Sequence, residues 1–236
     1  MNILVIDQCS KDKVQLPDED TYTEEDLADG ESTEEVRTNA DLTMRAVDLY
    51  TGRQQDFITR AAEKLESRAG DTVDRYFISA GFGLIHETDP VPPYDVTFTN
   101  SSPQEIERRA AKLGIQRKLQ GLVTGEYDLV FLALGSDYYR TFDLSAMLDA
   151  ISPDTWVICF NHESVTEAYP NVLSLPARTA QAKEQETIVV ALKGKYLQNF
   201  AEHRAQGAEV NDLDDLETYC TTPYGSQSDL TSYEDE

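Results

Sequence analysis

The sequence predicts an α/β fold: a three-layer sandwich with a mainly parallel sheet of about four to five strands flanked by helices. Two observations carry this. Short apolar runs rich in β-branched residues recur at 2–8, 75–80, 127–134, 155–160 and 171–175. Such runs suit strands buried on both faces. Between several of them lie segments with apolar residues at helical spacing. Strands alternating with helices give a parallel sheet covered on both sides.

The first run, NILVIDQ, starts a strand almost at once. Residues 11–41 are nearly all polar and lack aliphatic periodicity until Val36, so they read as a long loop or insertion with at most one helical turn. A short helix or turn follows at 42–49. Over 53–68, Phe57, Ile58, Ala61, Ala62 and Leu65 share a face, which predicts an amphipathic helix ended at Gly70-Asp71. The second strand, 75–80, leaves through Gly81-Phe82-Gly83-Leu84-Ile85 as a tight turn. Pro90, Pro92 and Pro93 exclude regular structure beyond it.

Ser101-Ser102-Pro103-Gln104-Glu105 is a helix start, with Ser at the cap, Pro at the first helical position and an acid in the first turn. That helix is expected to reach about Thr124, with Ile106, Ala110, Leu113, Leu119 and Leu122 inward and Gly125 as its stop. The run at 127–134 is the most hydrophobic, hence central. Residues 180–206 read as one long helix with Ile188, Val189, Leu192, Tyr196, Leu197 and Phe200 on one face. Residues 208–236 are acidic and Ser/Thr-rich, which predicts a disordered tail. The organisation is a single α/β domain over 1–207 with a polar acidic insertion at about 12–41.

Asp and Glu number 44 against 20 Lys and Arg, a formal net charge of −24 in 236 residues. The acids are spread through every segment, which reads as adaptation to a high-salt cytoplasm, where carboxylates keep a surface hydrated while salt screens their repulsion. A nucleic-acid mimic or a cation binder is the other reading. Duplex binding through a basic surface is disfavoured, because it needs cations to displace phosphate counterions. The cysteines are Cys9, Cys159 and Cys220, without a CxxC pair, so neither a zinc site nor a disulfide framework is expected. No signal-peptide pattern or membrane-length apolar run occurs, and the protein reads as cytoplasmic.

Ligands of parallel sheets bind outside the carboxyl ends of the strands. Three polar turns qualify: Asp7-Gln8-Cys9-Ser10-Lys11-Asp12-Lys13, Ser79-Ala80-Gly81-Phe82-Gly83, and Gly135-Ser136-Asp137-Tyr138-Tyr139. Glycines there let a backbone approach a ligand and offer N–H groups to an anion. Neither the full G-x-G-x-x-G fingerprint nor a Walker A motif is present, so no dinucleotide or P-loop site is expected. Cys9 is either a nucleophile whose thiolate is stabilised by Lys11 or Lys13, or a small buried residue; the second reading is preferred. His86 and His162 follow the second and fourth strands as general-base candidates. Pro93-Tyr94-Asp95 presents a ring beside a carboxylate, which suits a nucleobase and the cationic sugar of a breaking glycosidic bond. Neither metal nor cofactor is expected.

The order Cys-Ser-x-x-Lys (Cys9 to Lys13), Asp-Leu-Tyr-Thr-Gly (Asp48 to Gly52), Ile-Ser-Ala-x-x-Gly-Leu-Ile (Ile78 to Ile85), Pro-Tyr-Asp (Pro93 to Asp95) and Gly-x-x-Tyr-Tyr (Gly135 to Tyr139) resembles a family of uncharacterised microbial α/β domains. Its members are loosely described as YaaA-like peroxide-stress proteins. A similar Cys-Ser-x-x-Lys strand end occurs in an inner domain of archaeosine synthase. The resemblance covers roughly residues 2–140. This chain departs from the pattern by more than thirty residues inserted between Lys13 and the Leu-Tyr-Thr-Gly segment. The resemblance implies a link to nucleic-acid or nucleobase metabolism, and it adds Tyr50 to the ligand-binding set.

The expected function is a nucleobase- or nucleotide-binding enzyme acting at an N-glycosidic bond. Asp95, His86 and Cys9 are the catalytic candidates. Tyr94, Tyr138 or Tyr139 would stack the base. Ser10, Lys11, Lys13, the Ser79, Gly81 and Gly83 turn, Gly135 and Ser136 would hold the rest of the ligand. The alternatives are a non-catalytic nucleotide sensor and an acidic interaction protein.

Overall fold

The structure, a computed structural model, describes residues 1–11, 13–14, 21–27, 30–99 and 101–225. The chain opens on β1 (Asn2–Gln8), as expected. The polar insertion is not bare loop. It contains α1 (Gly30–Asn39), ten residues rather than a single turn, and its Leu27 is fully buried. A two-residue strand β2 (Met44–Arg45) leads into α2 (Ala46–Leu49). The amphipathic helix α3 (Arg53–Lys64) follows, buries Ile58 and Ala61, and finishes in a π turn over Leu65–Ala69. Gly70 at φ 68° terminates it in the left-handed conformation that glycine adopts without strain.

β3 (Thr72–Ser79) runs parallel to β1. The segment after it is a hairpin rather than a simple turn: β4 (Gly83–His86) folds back antiparallel on β3, pairing Ser79 with Gly83 and Tyr76 with His86. Despite its prolines the next stretch holds a two-residue strand, β5 (Pro90–Val91), paired with β2. The capped start at Ser102 is realised as a full capping box, with Ser102 and Glu105 bonding each other's backbone amides. The helix divides in two, α4 (Pro103–Leu113) and α5 (Ile115–Val123), because Gly114 sits at φ 65° between them.

β6 (Leu129–Ala133) is buried throughout. After it come α6 (Ser136–Tyr139), α7 (Leu144–Leu148), β7 (Trp156–Phe160), α8 (Glu163–Thr166) and β8 (Val172–Leu175). The expected long helix is two: α9 (Thr179–Glu184) and α10 (Leu192–Ala205), separated by a turn and a 3-10 segment at Val189–Ala191. The expected disordered tail is partly ordered. α11 (Leu213–Thr221), capped by Asp212, buries Leu216 and Cys220, and the rest of that expectation, 226–236, lies outside the described residues.

The main sheet has six strands in the order β4-β3-β1-β6-β7-β8, parallel except for β4. β1 and β6 occupy its centre. Side chains alternate between two apolar layers. Leu4, Ile6, Val130 and Leu132 face α4, α5 and α7; Ile3, Val5, Leu129 and Phe131 face α3, α10 and α11. This is the predicted three-layer α/β sandwich. Among the described residues no helix is long and apolar enough to cross a membrane.

Candidate functional site

The strand order reverses between β1 and β6. After β1 the chain crosses one face through α3, whose Ile58 and Ala61 lie in the layer with α10. After β6 it crosses the other face through α7, whose Met147 and Leu148 lie in the layer with α4 and α5. Connections that leave in opposite directions open a crevice at the carboxyl ends of their strands. A cleft of about 360 Å³ lies there. The end of β1 lines it with Gln8, Cys9, Ser10 and Lys11, and the turn after β6 lines it with Gly135, Ser136, Asp137 and Tyr138. Thr51, Gly52, Arg53, Gln54 and Gln55 come from the start of α3, and Ile188, Val190 and Ala191 from the turn before α10.

A buried polar network sets the end of β1. Asp7 is fully buried and pairs with the equally buried Arg75 of β3, Nη2 to Oδ2 at 2.6 Å. Its other oxygen accepts from Gln54 Nε2 at 2.7 Å and from the Gln8 amide at 2.8 Å. Gln54 Nε2 also donates to the Ala133 carbonyl at 3.0 Å, which ties α3 to both central strands. That bonding fixes the orientation of the Gln54 amide. Its Oε1 is then a buried acceptor without a hydrogen-bond partner, on a side chain only 3% exposed. Gln8 performs a similar service at the surface. Its Oε1 accepts from the Gly135 amide at 2.6 Å and its carbonyl accepts from Gln55 Nε2 at 3.1 Å.

The N-terminus of α3 therefore faces the cleft. Its first amides have no partner inside the helix, and Gly52 at the N-cap has no side chain to cap them. Oriented amides and the helix dipole favour an anion at such a position. Lys11 and Arg53 are exposed lining residues and add positive charge, against Asp137 as the one acid of the lining among the described residues.

Cys9 is 3% exposed, and its Sγ lies 3.1 Å from the Tyr138 hydroxyl, which also donates to the Cys9 carbonyl at 2.8 Å. Burial, followed by the nearby Cys9, raises the Tyr138 pKa well above the ordinary tyrosine range, so its hydroxyl stays protonated. The thiol is thus held in a packed, hydrogen-bonded position, which fits the structural reading of this cysteine.

The other nominated residues lie elsewhere. Ser79 is buried and its hydroxyl accepts from the Gly81 and Phe82 amides at 3.2 and 3.0 Å, so that turn satisfies its own donors instead of offering them to an anion. Gly81 and Gly83 are buried against Tyr94 and Leu113. Tyr94 and Tyr50 are 3% and 2% exposed, with their hydroxyls 2.8 Å apart and Tyr94 also 2.8 Å from Ser79 Oγ. Neither ring has a face open to a base. Lys13 pairs its backbone with Tyr50 and sets its amine 4.4 Å from the Tyr94 ring centre.

Asp95 is exposed in a different groove with Glu24, Glu25 and Arg109. His86 is carried away by the reversed direction of β4 and bonds Asp74 through Nε2 at 3.0 Å. Tyr139 is buried on the opposite side of its turn, against a groove of about 1040 Å³ beside α4 and α5. His162 packs on the Tyr139 ring at 4.3 Å, and burial lowers its pKa. Among the described residues no group of three or more His, Cys, Asp or Glu is placed to hold a metal ion.

The structure thus gathers Cys9, Ser10, Lys11, Gly135, Ser136 and Tyr138, and separates Asp95, His86, Lys13, Tyr50, Ser79, Gly81, Gly83, Tyr94 and Tyr139 from that cleft. Sequence reasoning missed Gly52, Arg53 and Gln54, because the helix from 53 was judged by its apolar face alone. A glycine immediately before the first helical residue was the available signal. The chain matches no family model and no curated protein.

Proposed function

We propose that the protein binds a nucleotide in the cleft between β1 and β6, with the phosphate at the N-terminus of α3. The observation that carries this reading is the uncapped start of a twelve-residue helix in a switch-point cleft, with Lys11 and Arg53 beside it. In a chain of net charge −24, a lining with more basic than acidic side chains points to an anionic ligand. The resemblance of the motif order to YaaA-like domains leans the same way. Asp95 lines a separate groove, so no glycosidic cleavage is assigned to it.

The test is a thermal-shift and calorimetric titration with nucleoside mono- and triphosphates, the matching nucleosides and inorganic phosphate. Phosphorylated ligands should stabilise the protein and bind more tightly than their nucleosides. Lys11→Ala and Arg53→Ala should each weaken binding by roughly 10-fold or more without lowering Tm, the size expected for one charge-assisted contact. Equal affinity for phosphorylated and unphosphorylated ligands would refute the reading.

A further inference from the structure

The turn between α9 and α10 places aliphatic side chains in solvent. Ile188 is 53% exposed, Val189 38% and Val190 63%, and the remaining exposed large hydrophobics among the described residues, Val14 and Tyr224, are isolated from one another in sequence. The backbone of this turn is held. Glu186 adopts a left-handed φ of 52°, the Thr187 amide donates to the Ala182 carbonyl at 2.8 Å, and the Ala191 amide donates to the Ile188 carbonyl at 2.9 Å. Ala191 and Leu192 anchor it, at 1% and 0% exposure. Ile188 and Val190 are β-branched and stiff at χ1, so an ordered backbone makes them an ordered surface. Both line the same cleft as the start of α3.

We infer that the Ile188–Val190 turn is the specificity-determining wall of the cleft, and that it takes the flat, apolar face of the base of a mononucleotide. The inference rests on the cleft being a nucleotide site. One cleft has an anion-favouring end at Arg53 and Lys11 and an aliphatic lip at Ile188 and Val190. A phosphate and a base present those two chemistries in one molecule. The cleft volume of about 360 Å³ lies near the small end of ligand sites, roughly 300–1,000 Å³, which suits one nucleotide rather than two.

The experiment titrates wild type and the Ile188→Ser/Val190→Ser variant with AMP, GMP, ribose 5-phosphate and inorganic phosphate. Wild type should bind the nucleotides about 10-fold or more tightly than ribose 5-phosphate, a gap typical of small apolar contacts. The variant should lose that gap and keep its affinity for ribose 5-phosphate. Both substituted side chains are exposed, so its circular dichroism and Tm should match wild type; the single Val190→Ser variant, altered at the most exposed of the three positions, repeats the test. If wild type binds ribose 5-phosphate as tightly as AMP, or the variant keeps its preference, the base-wall assignment is wrong while the phosphate site stands. The same holds if the substitutions leave both affinities alone and turn a dimer into a monomer in sedimentation. If wild type binds none of the four ligands, the nucleotide reading of the cleft fails and the base wall with it.

Discussion

β1 and β3 are neighbours in register, with Gln8 beside Ile78, and each ends in a polar turn at the same sheet edge. The turn after β1 opens into a cleft, while the turn after β3 is sealed. The sealed turn is covered by Tyr94, by Leu27 of the insertion and by Arg109, whose Nε donates to the Ala80 carbonyl and whose Nη2 donates to the Leu27 carbonyl at 3.1 Å. The insertion is stitched to this cover by the Tyr22 amide on the Pro93 carbonyl at 3.0 Å and the Asp95 amide on the Tyr22 carbonyl at 2.9 Å. A glycine after a parallel strand is therefore not the mark of a site. What differs is the cover laid over the turn, and whether a helix start with spare amides faces it.

The largest expected effect lies beneath both turns. Arg75→Met leaves Asp7 buried with Gln54 and a backbone amide, without its ion-pair partner and with only the longer-range pull of Lys193. Breaking a buried pair from one side costs about 3–5 kcal/mol. Urea unfolding should show a loss of that size, and a loss under about 1 kcal/mol would mean that the pair does not organise the edge.

Lys193 comes next. It is 6% exposed in the first turn of α10, beside Gly194, whose Cβ position is only 2.7 Å from the Gln54 carbonyl. Burial pushes its amine down to about 8 against an opposing pull from Asp7. The folded state then holds this proton more weakly than the unfolded chain, where a lysine titrates near 10.4. Between about pH 8 and 10 the unfolded state binds more protons, so this group's contribution to stability rises with pH there, and its cost is fully present at pH 7. Lys193→Met should raise stability at pH 7 by about 1–3 kcal/mol and flatten that rise. Unfolding free energies measured from pH 7 to 10 decide it; an unchanged slope would exclude a charged, buried Lys193.

Strands were legible because β1, β6 and β7 are nearly continuous apolar runs, and the Ser102 start was legible because capping chemistry is local. Breaks inside helices were not. Leu113 and Ile115 keep the apolar pattern running across Gly114, and nothing in the residues says that this glycine takes a positive φ. Ile188 and Val189 fall at helical spacing with Leu192, yet Glu186 turns the chain without a glycine or proline to announce it. α11 was hidden by its acids, although Asp212 caps it by accepting from the Asp215 amide. At the site, the topological rule brought together the ends of β1 and β6. It failed for His86, because the antiparallel β4 carries that residue back along the sheet; Asp95, nominated for the ring beside it, lines another groove.

Two glycines sharpen the contrast between the turns. A Cβ at Gly81 would lie 2.7 Å from two Tyr94 ring carbons and 3.3 Å from Leu27 Cδ1. Tyr94 cannot step aside, since its hydroxyl bonds both Ser79 and Tyr50 inside the core. Gly81→Ala should therefore cost about 1–3 kcal/mol by overpacking and leave ligand affinity unchanged in the molecules that fold. A Cβ at Gly135 would meet Gln8 Oε1 at 3.0 Å, with the next atom, Gln8 Cδ, at 4.0 Å. That obstacle is the end of a half-buried side chain, which can rotate at the cost of its bond to the Gly135 amide. Gly135→Ala should cost less than about 1 kcal/mol, one exposed-side hydrogen bond, and should weaken nucleotide binding, because Gln8 would swing within the cleft it lines. Denaturation and calorimetry on the two variants separate the regions. If Gly81→Ala weakens binding while Gly135→Ala does not, the sealed turn is the one that meets the ligand, and the cover formed by Tyr94 and Leu27 would have to open.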